Sequence, residues 1–269
     1  MGVSVLFAAT GAELSKIRSS RAVWLITGAV IALHLLIGLA NIRNTTTAVE
    51  GITPDGLIEI FAGEHRPAGA ALIDLLVSFS LQIVVMFLPI IAAVIGGQEF
   101  REGQLAQSVL AVPRRGLLTT AKAIAVVVFM AGVAILVELI SNAYLFLAVK
   151  DWNPRLLLGG DTLADHGTLL ALAVLVSLVS FAITTLMRST LLGIVASVLL
   201  TALAMTQVLA RTVPAIDALL PVSAGRNLLL DPADADLSSS AGYAAIVLVA
   251  WTLLCTVAAG LLLSRRDAR

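Results

Sequence analysis

Glu138 is the side chain best placed to do chemistry inside an apolar segment of this sequence. It lies near the middle of a long apolar run, and Asn142 follows it at i+4 on the same helical face. A charge in hydrocarbon costs about 3 kcal/mol on insertion scales. Such a pair therefore either borders a path for a substrate or a proton, or forms an interhelical hydrogen bond that only holds helices together. Both interpretations are open.

The remaining reactive side chains form no recognisable catalytic pattern. The three histidines are His34, His65 and His166, which we place in one apolar run and two outer loops, and the one cysteine is Cys255. His34 has no second ligand at i+3 or i+4 and is expected to be a hydrogen-bonded histidine of the bundle. The chain has no G-x-x-x-x-G-K-[ST], H-E-x-x-H or G-x-S-x-G sequence. We predict no catalytic residue and no metal site, which argues against an intramembrane enzyme.

The composition is that of an integral membrane protein. Residues AVILMFWYC make up 59% and DEKR 13%, against roughly a half and a quarter in soluble domains. The runs are continuously apolar rather than alternating, so we predict an all-α fold with six transmembrane helices. The six runs lie near 22–42, 72–97, 121–149, 168–187, 190–210 and 241–263. A cleaved signal peptide is the rival interpretation of the first run, but that run is longer than a usual signal-peptide core.

Lysine and arginine are distributed unevenly between the predicted loops. With the N-terminus inside, eleven of the 17 basic residues fall on the inner side. Because positive charge is retained in the cytoplasm, both termini and the segment between spans two and three are predicted to be cytoplasmic. The formal net charge of zero hides this polarity.

Three segments outside the spans carry their own patterns. Residues 1–21 place apolar side chains in one helical sector, which predicts an interfacial helix, or more simply a basic anchor for the first span. Residues 98–120, called the insert below, bear Leu105 and Val109 at i and i+4 before Pro113, which predicts a short amphipathic helix or a loop lying on the inner leaflet. Residues 211–240 predict short helices dipping into the outer leaflet.

Several residues within the spans carry structural predictions. Pro89 is expected to kink the second span. Gly96 and Gly97 lie at the inner end of that span, and our hypothesis is that they act as a hinge for the insert. Gln82 and Gln207 are expected to bond across helices.

The order of these elements resembles the permease subunit of a type-2 ABC transporter. The resemblance is carried by the basic leader GAELSKIRSSRAVWLI, the insert region GGQEFREGQLAQSVLAVPRRGLLTTAK and the late LLPVSAGRNLL. The family's G-x-E-x-x-x-G-T pattern is matched around Glu99, Phe100, Arg101, Gly103 and Leu105, and its P-R-R and lysine by Pro113, Arg114, Arg115 and Lys122. Gln104 stands where the family has threonine, a mild departure.

The resemblance implies a function, partners and a set of coupling residues. Residues 1–269 would form one transmembrane domain with an N-terminal elbow helix, and the insert would hold the coupling helix that seats on a cytosolic ABC ATPase. The implied coupling residues are Glu99, Phe100, Arg101, Glu102, Gly103, Leu105, Val109, Pro113, Arg114 and Arg115. ATP and Mg would be bound by that partner and not by this chain.

The expected protein is an exporter subunit in a bacterial plasma membrane. Its expected partners are membrane lipids and a second permease, either another copy or a related chain, and no nucleic acid. Its cargo would be a hydrophobic or amphipathic lipid, drug or peptide. The alternative function is an ion- or proton-coupled secondary transporter that uses Glu138 without an ATPase.

Overall fold

The protein is a multi-pass, almost entirely helical membrane protein. The computed structural model describes residues 2–61, 63–100, 110, 114–230 and 237–265. Within these residues, five helices are long and apolar enough to cross a membrane. They are α2 (Arg21–Glu50), α3 (Ala68–Gln98), α4 (Arg115–Val149), α5 (Gly160–Met187) and α10 (Ala241–Arg265).

The fifth predicted span forms a shorter helix. Helix α6 (Thr190–Met205) has 16 residues and follows α5 after a two-residue turn at Arg188 and Ser189. At 1.5 Å per residue it is about 24 Å long, less than the roughly 30 Å of a hydrocarbon core. The count of six spans therefore stays a prediction. Three short helices follow: α7 (Val208–Thr212), α8 (Pro214–Asp217) and α9 (Pro221–Leu229). Helices α8 and α9 lie in the segment 211–240, where the sequence predicts short helices, whereas α7 begins within the predicted fifth span.

The N-terminal residues form helix α1 (Gly2–Ser19), which packs along α4. Ala9, Glu13 and Ile17 are buried at four-residue spacing, so they form one stripe on the packed face. Phe7 of the predicted apolar sector is instead 74% exposed. The helix thus has one face on the bundle and an apolar side chain on its other face, whereas its position at a membrane surface stays a prediction.

The structure has a two-stranded hairpin between α2 and α3 that the sequence analysis did not predict. Strands β1 (Leu57–Phe61) and β2 (Glu64–Pro67) pair antiparallel, and Gly63 adopts a φ of 83° beside their turn. Ile58 is buried against the start of α3 and the end of α4. We call this end of the bundle the hairpin end and the opposite end, where α3 stops and α4 begins, the insert end.

Helix α3 lies at the centre of the bundle and contains Pro89. Its most apolar window is 61% buried, as is that of α5, against 28% for α2 and α10. Proline cannot donate to the carbonyl four residues earlier, which here belongs to Val85. Thr201 of α6 donates its hydroxyl to that carbonyl at 3.0 Å, and Ser180 of α5 donates to the carbonyl of Pro89 at 2.6 Å. Neighbouring hydroxyls thus satisfy backbone groups near the proline.

The glycines at the insert end of α3 are points of close helix contact. A Cβ atom on Gly97 would lie 2.9 Å from Cα of Thr190, and one on Gly96 would lie 3.1 Å from the carbonyl oxygen of Phe181. The distance at Gly97 is too short for a Cβ unless the backbone of Thr190 moves, and the distance at Gly96 requires a smaller shift of its neighbour. The structure gives both residues a packing role, while their predicted role as a hinge stays a hypothesis.

Candidate functional site at the insert end

Four charged side chains from α1, α4 and the end of α3 meet at the insert end. Lys122 Nζ lies 2.8 Å from Oε2 of Glu13 and 2.6 Å from Oε1 of Glu99. Lys16 Nζ lies 2.6 Å from Oε1 of Glu13 and 3.5 Å from Oε1 of Glu99. These residues, which we call the insert-end charge cluster, join α1 to Glu99 at the start of the insert and to Lys122 near the beginning of α4.

The cluster is mostly shielded from water and its formal charges cancel. The side chain of Lys122 is 5% exposed, that of Glu13 9% and that of Glu99 12%, whereas that of Lys16 is 41% exposed. Partial burial opposes the charge on Lys16, but hydrogen bonds and attraction from Glu13 and Glu99 outweigh it and raise the pKa of Lys16 above its usual value. Lys122 also lies near the C-terminus of α3, where the helix dipole favours a cation.

Further contacts tie the same region to the remaining helices. The Gln98 carboxamide donates to the hydroxyl of Ser20, the N-cap of α2. Arg115 Nη1 donates to the carbonyl of Leu263 in α10 at 2.9 Å. The guanidinium of Arg188, in the turn between α5 and α6, lies 5.8 Å from the ring centroid of Phe100. Residues at the two ends of the insert therefore contact α2, α10 and the turn between α5 and α6.

The structure describes only part of the predicted coupling set. Glu99 belongs to the charge cluster, Phe100 contacts Arg188, Arg115 begins α4, and Arg114 is an exposed residue just before it. Six predicted coupling residues lie outside the described residues: Arg101, Glu102, Gly103, Leu105, Val109 and Pro113. The predicted amphipathic helix of the insert therefore stays a prediction.

Glu138 and Asn142 share a face of α4, as predicted, but their side chains do not bond each other. Asn142 donates to the backbone carbonyl of Glu138 at 2.8 Å. The carboxylate instead lies 3.6 Å from Nδ1 of His166, and its Oε1 is buried without a hydrogen bond to any described residue. The prediction that His166 lies in an outer loop is wrong, because α5 begins six residues before it. That early start brings the ring against α4.

A second buried polar cluster lies among the short helices of the hairpin end. Asp217 is fully buried and accepts from Arg226 Nη2 at 2.6 Å, from Ser223 at 2.8 Å and from Ser238 at 2.7 Å. Arg226 also donates to the carbonyl of Ala204 at the end of α6. These bonds hold α8 and α9 against α6 and fix the connection into α10.

The sequence analysis missed Glu13, Lys16, Asp217 and Arg226 as partners in buried clusters. The helical wheel had placed Glu13 outside the apolar sector, yet its four-residue spacing from Ala9 and Ile17 puts it on the stripe that the structure buries. Its partner Lys122 is 109 residues away, and sequence spacing cannot show a contact of that kind.

The comparisons with known proteins identify no family. No protein-family model matches this chain, and no curated protein matches its sequence. The resemblance to type-2 ABC permeases thus rests only on the residues and the order of elements given above.

Proposed function

We propose that this chain is the transmembrane permease subunit of an ATP-driven ABC exporter that moves a hydrophobic or amphipathic substrate. The observation that carries the proposal is the insert-end charge cluster. Glu99 lies at the start of the insert, and through Lys122 and Glu13 it is joined to α4 and α1. A force applied to the insert by a cytosolic ATPase would therefore reach α1, α3 and α4 together.

The proposal places the insert end in the cytoplasm and the hairpin end outside. The distribution of basic residues supports this orientation. Two permeases, either identical or related, would enclose the pathway, and the ATPase would bind ATP and Mg. The bacterial plasma membrane is the proposed location.

Replacement of residues 104–112 by a Gly/Ser linker of equal length tests the coupling step. The variant and the original chain are purified from the native host together with any ATPase subunit that binds them, and assayed for Mg-ATP hydrolysis in nanodiscs. We expect the variant to lose the ATPase subunit while retaining its thermal midpoint. The matched control replaces residues 232–235, between α9 and α10 in the sequence, in the same way and should keep the ATPase. Retained ATP-driven transport without residues 104–112 would contradict the proposal.

The second candidate function, a proton-coupled secondary transporter, is favoured by one observation. Glu138 and His166 place two titratable groups from neighbouring spans 3.6 Å apart. Intramembrane ionisable pairs of this kind often serve proton relays. Proteoliposomes without an ATPase distinguish the two functions, because only a secondary transporter would move cargo when a pH gradient is imposed, and Glu138→Gln should abolish that movement.

A further inference from the structure

A cavity of about 410 Å³ opens between α2, α3 and α4 at the hairpin end. Its walls come from residues 38–48 of α2, 72–82 of α3 and 141–145 of α4, and Ile58 of the hairpin contributes to its rim. This volume lies in the range of small-molecule sites. Neither the residues of the insert-end charge cluster nor Glu138 line the cavity, so neither accounts for it.

Three polar side chains of the cavity wall have unused hydrogen-bonding capacity. Ser78, Gln82 and Asn44 make no hydrogen bond with any described residue, and all three are exposed. The expectation that Gln82 bonds across helices is therefore wrong. Ser78 and Gln82 lie at i and i+4, so they present a hydroxyl and a carboxamide on one face of α3. At this depth of a long span, such groups need a partner that is not hydrocarbon.

The other polar groups of the wall are already engaged and hold the cavity open. Tyr144 donates its hydroxyl to the carbonyl of Leu35 at 2.9 Å, and its ring lies so close to Gly38 that a Cβ there would be 2.7 Å from Cζ. Ser141 accepts from Ser80 at 2.8 Å and lies 3.0 Å from Nε2 of buried His34. The wall is thus preformed, and a ligand need not order it.

Among the described residues that line the cavity, none is an aspartate, glutamate, lysine, arginine or histidine. A charged ligand would enter without a counter-charge and would lose its hydration, which is costly at low dielectric. Leucine side chains at 72, 75 and 76 supply apolar surface beside the polar groups. The lining is therefore complementary to a molecule with an apolar body and a neutral, hydrogen-bonding head.

We propose that this cavity binds an uncharged amphipathic lipid whose headgroup carries hydroxyl or amide groups. Asn44, Ser78 and Gln82 offer hydrogen bonds to its polar groups at successive depths of the cavity, and the leucines contact its apolar part. The proposal concerns binding only, so it holds whichever energy source drives transport, and its failure is distinguishable from failure of the ABC assignment.

The test is photo-crosslinking of the full chain in nanodiscs, without nucleotide and without an ATPase. The probe is a monoacylglycerol with a diazirine in its chain, compared with a fatty-acid probe of the same chain length that is anionic at neutral pH. We expect the neutral probe to label peptides containing residues 38–48, 72–82 or 141–145 saturably, with competition by unlabelled monoacylglycerol. The anionic probe should show no saturable labelling there.

Two variants remove hydrogen-bonding capacity while preserving side-chain bulk. Gln82→Leu and Asn44→Leu should each weaken competition by roughly threefold to tenfold, the range for loss of one neutral hydrogen bond. The matched control is Asn153→Leu, a carboxamide that lines no part of the cavity, and it should bind as the original chain does. Ser78→Trp should remove saturable labelling by filling the space.

Thermal midpoints of all variants establish that they fold, and the probe comparison in the original chain stands even if a variant does not. Unsaturable labelling, equal labelling by the anionic probe, or unchanged competition in folded Gln82→Leu and Asn44→Leu would each overturn the proposal.

Discussion

Replacing Lys122 by methionine should destabilise the protein far more than the same replacement of Lys16. Lys122→Met leaves two carboxylates, on Glu13 and Glu99, that lose partners at 2.8 and 2.6 Å in a site where Lys122 is 5% exposed. Removing one partner of a buried ion pair costs about 3 to 5 kcal/mol. Lys16 stays within 3.5 Å of both carboxylates, so we expect a loss at the lower end of this range. The free energy of unfolding should fall by about 3 kcal/mol, which raises the equilibrium constant for unfolding more than a hundredfold.

The free energy of unfolding in mixed detergent micelles, titrated with SDS, measures this difference. Lys16→Met is the matched control: its side chain is 41% exposed, so we expect a loss of about 1 kcal/mol or less. Adding Glu13→Gln to Lys122→Met should recover part of the stability, because one ammonium then faces one carboxylate. Equal losses for the two lysine variants, or no recovery in the double variant, would refute the assignment of a buried, mutually dependent cluster.

Two further predictions concern packing and the hairpin end. Gly97→Ala should lower the free energy of unfolding by about 1 to 3 kcal/mol, because the new Cβ overpacks against Thr190. Gly132→Ala is the control and should leave the stability unchanged, because the space around its new Cβ is open. The thermal midpoints of the two variants compare them directly. Asp217→Asn should lower the free energy of unfolding by about 3 kcal/mol, because it leaves Arg226 without its anionic partner. Adding Arg226→Met should restore much of that stability in the same SDS titration. A purely steric effect of the first substitution would not be relieved in this way.

Much of the architecture could be predicted because hydrocarbon constrains sequence strongly. Continuous apolar runs located the five long helices to within several residues at most ends, and the Arg188-Ser189 turn was evident between two such runs. Helix starts in polar surroundings were harder to place. The predicted fourth span began at 168, whereas α5 begins at Gly160, since the polar residues Asp161 and His166 lie within its first turns.

The candidate site could be predicted only in part, because its contacts are non-local. Glu99 and Lys122 were selected by resemblance to a motif, but the side chains that neutralise them come from α1. The hairpin of residues 57–67 was missed because its strands have four and five residues, too short for an alternating pattern to stand out. Gln82 was expected to find a partner on another helix, yet the packing of α2, α3 and α4 leaves a cavity beside it.

The bond from Thr201 to the carbonyl of Val85 limits how α3 and α6 can shift relative to each other. A slide of one helical turn, about 5.4 Å, would carry the hydroxyl out of reach and leave that carbonyl unsatisfied in a water-free interior, at a cost of a few kcal/mol. At the other end of α6, Gly97 of α3 packs closely against Thr190. Helices α3 and α6 are therefore in close contact near both ends of α6. During any conformational cycle they should therefore travel as a single rigid unit, and the sliding surfaces must lie elsewhere in the bundle.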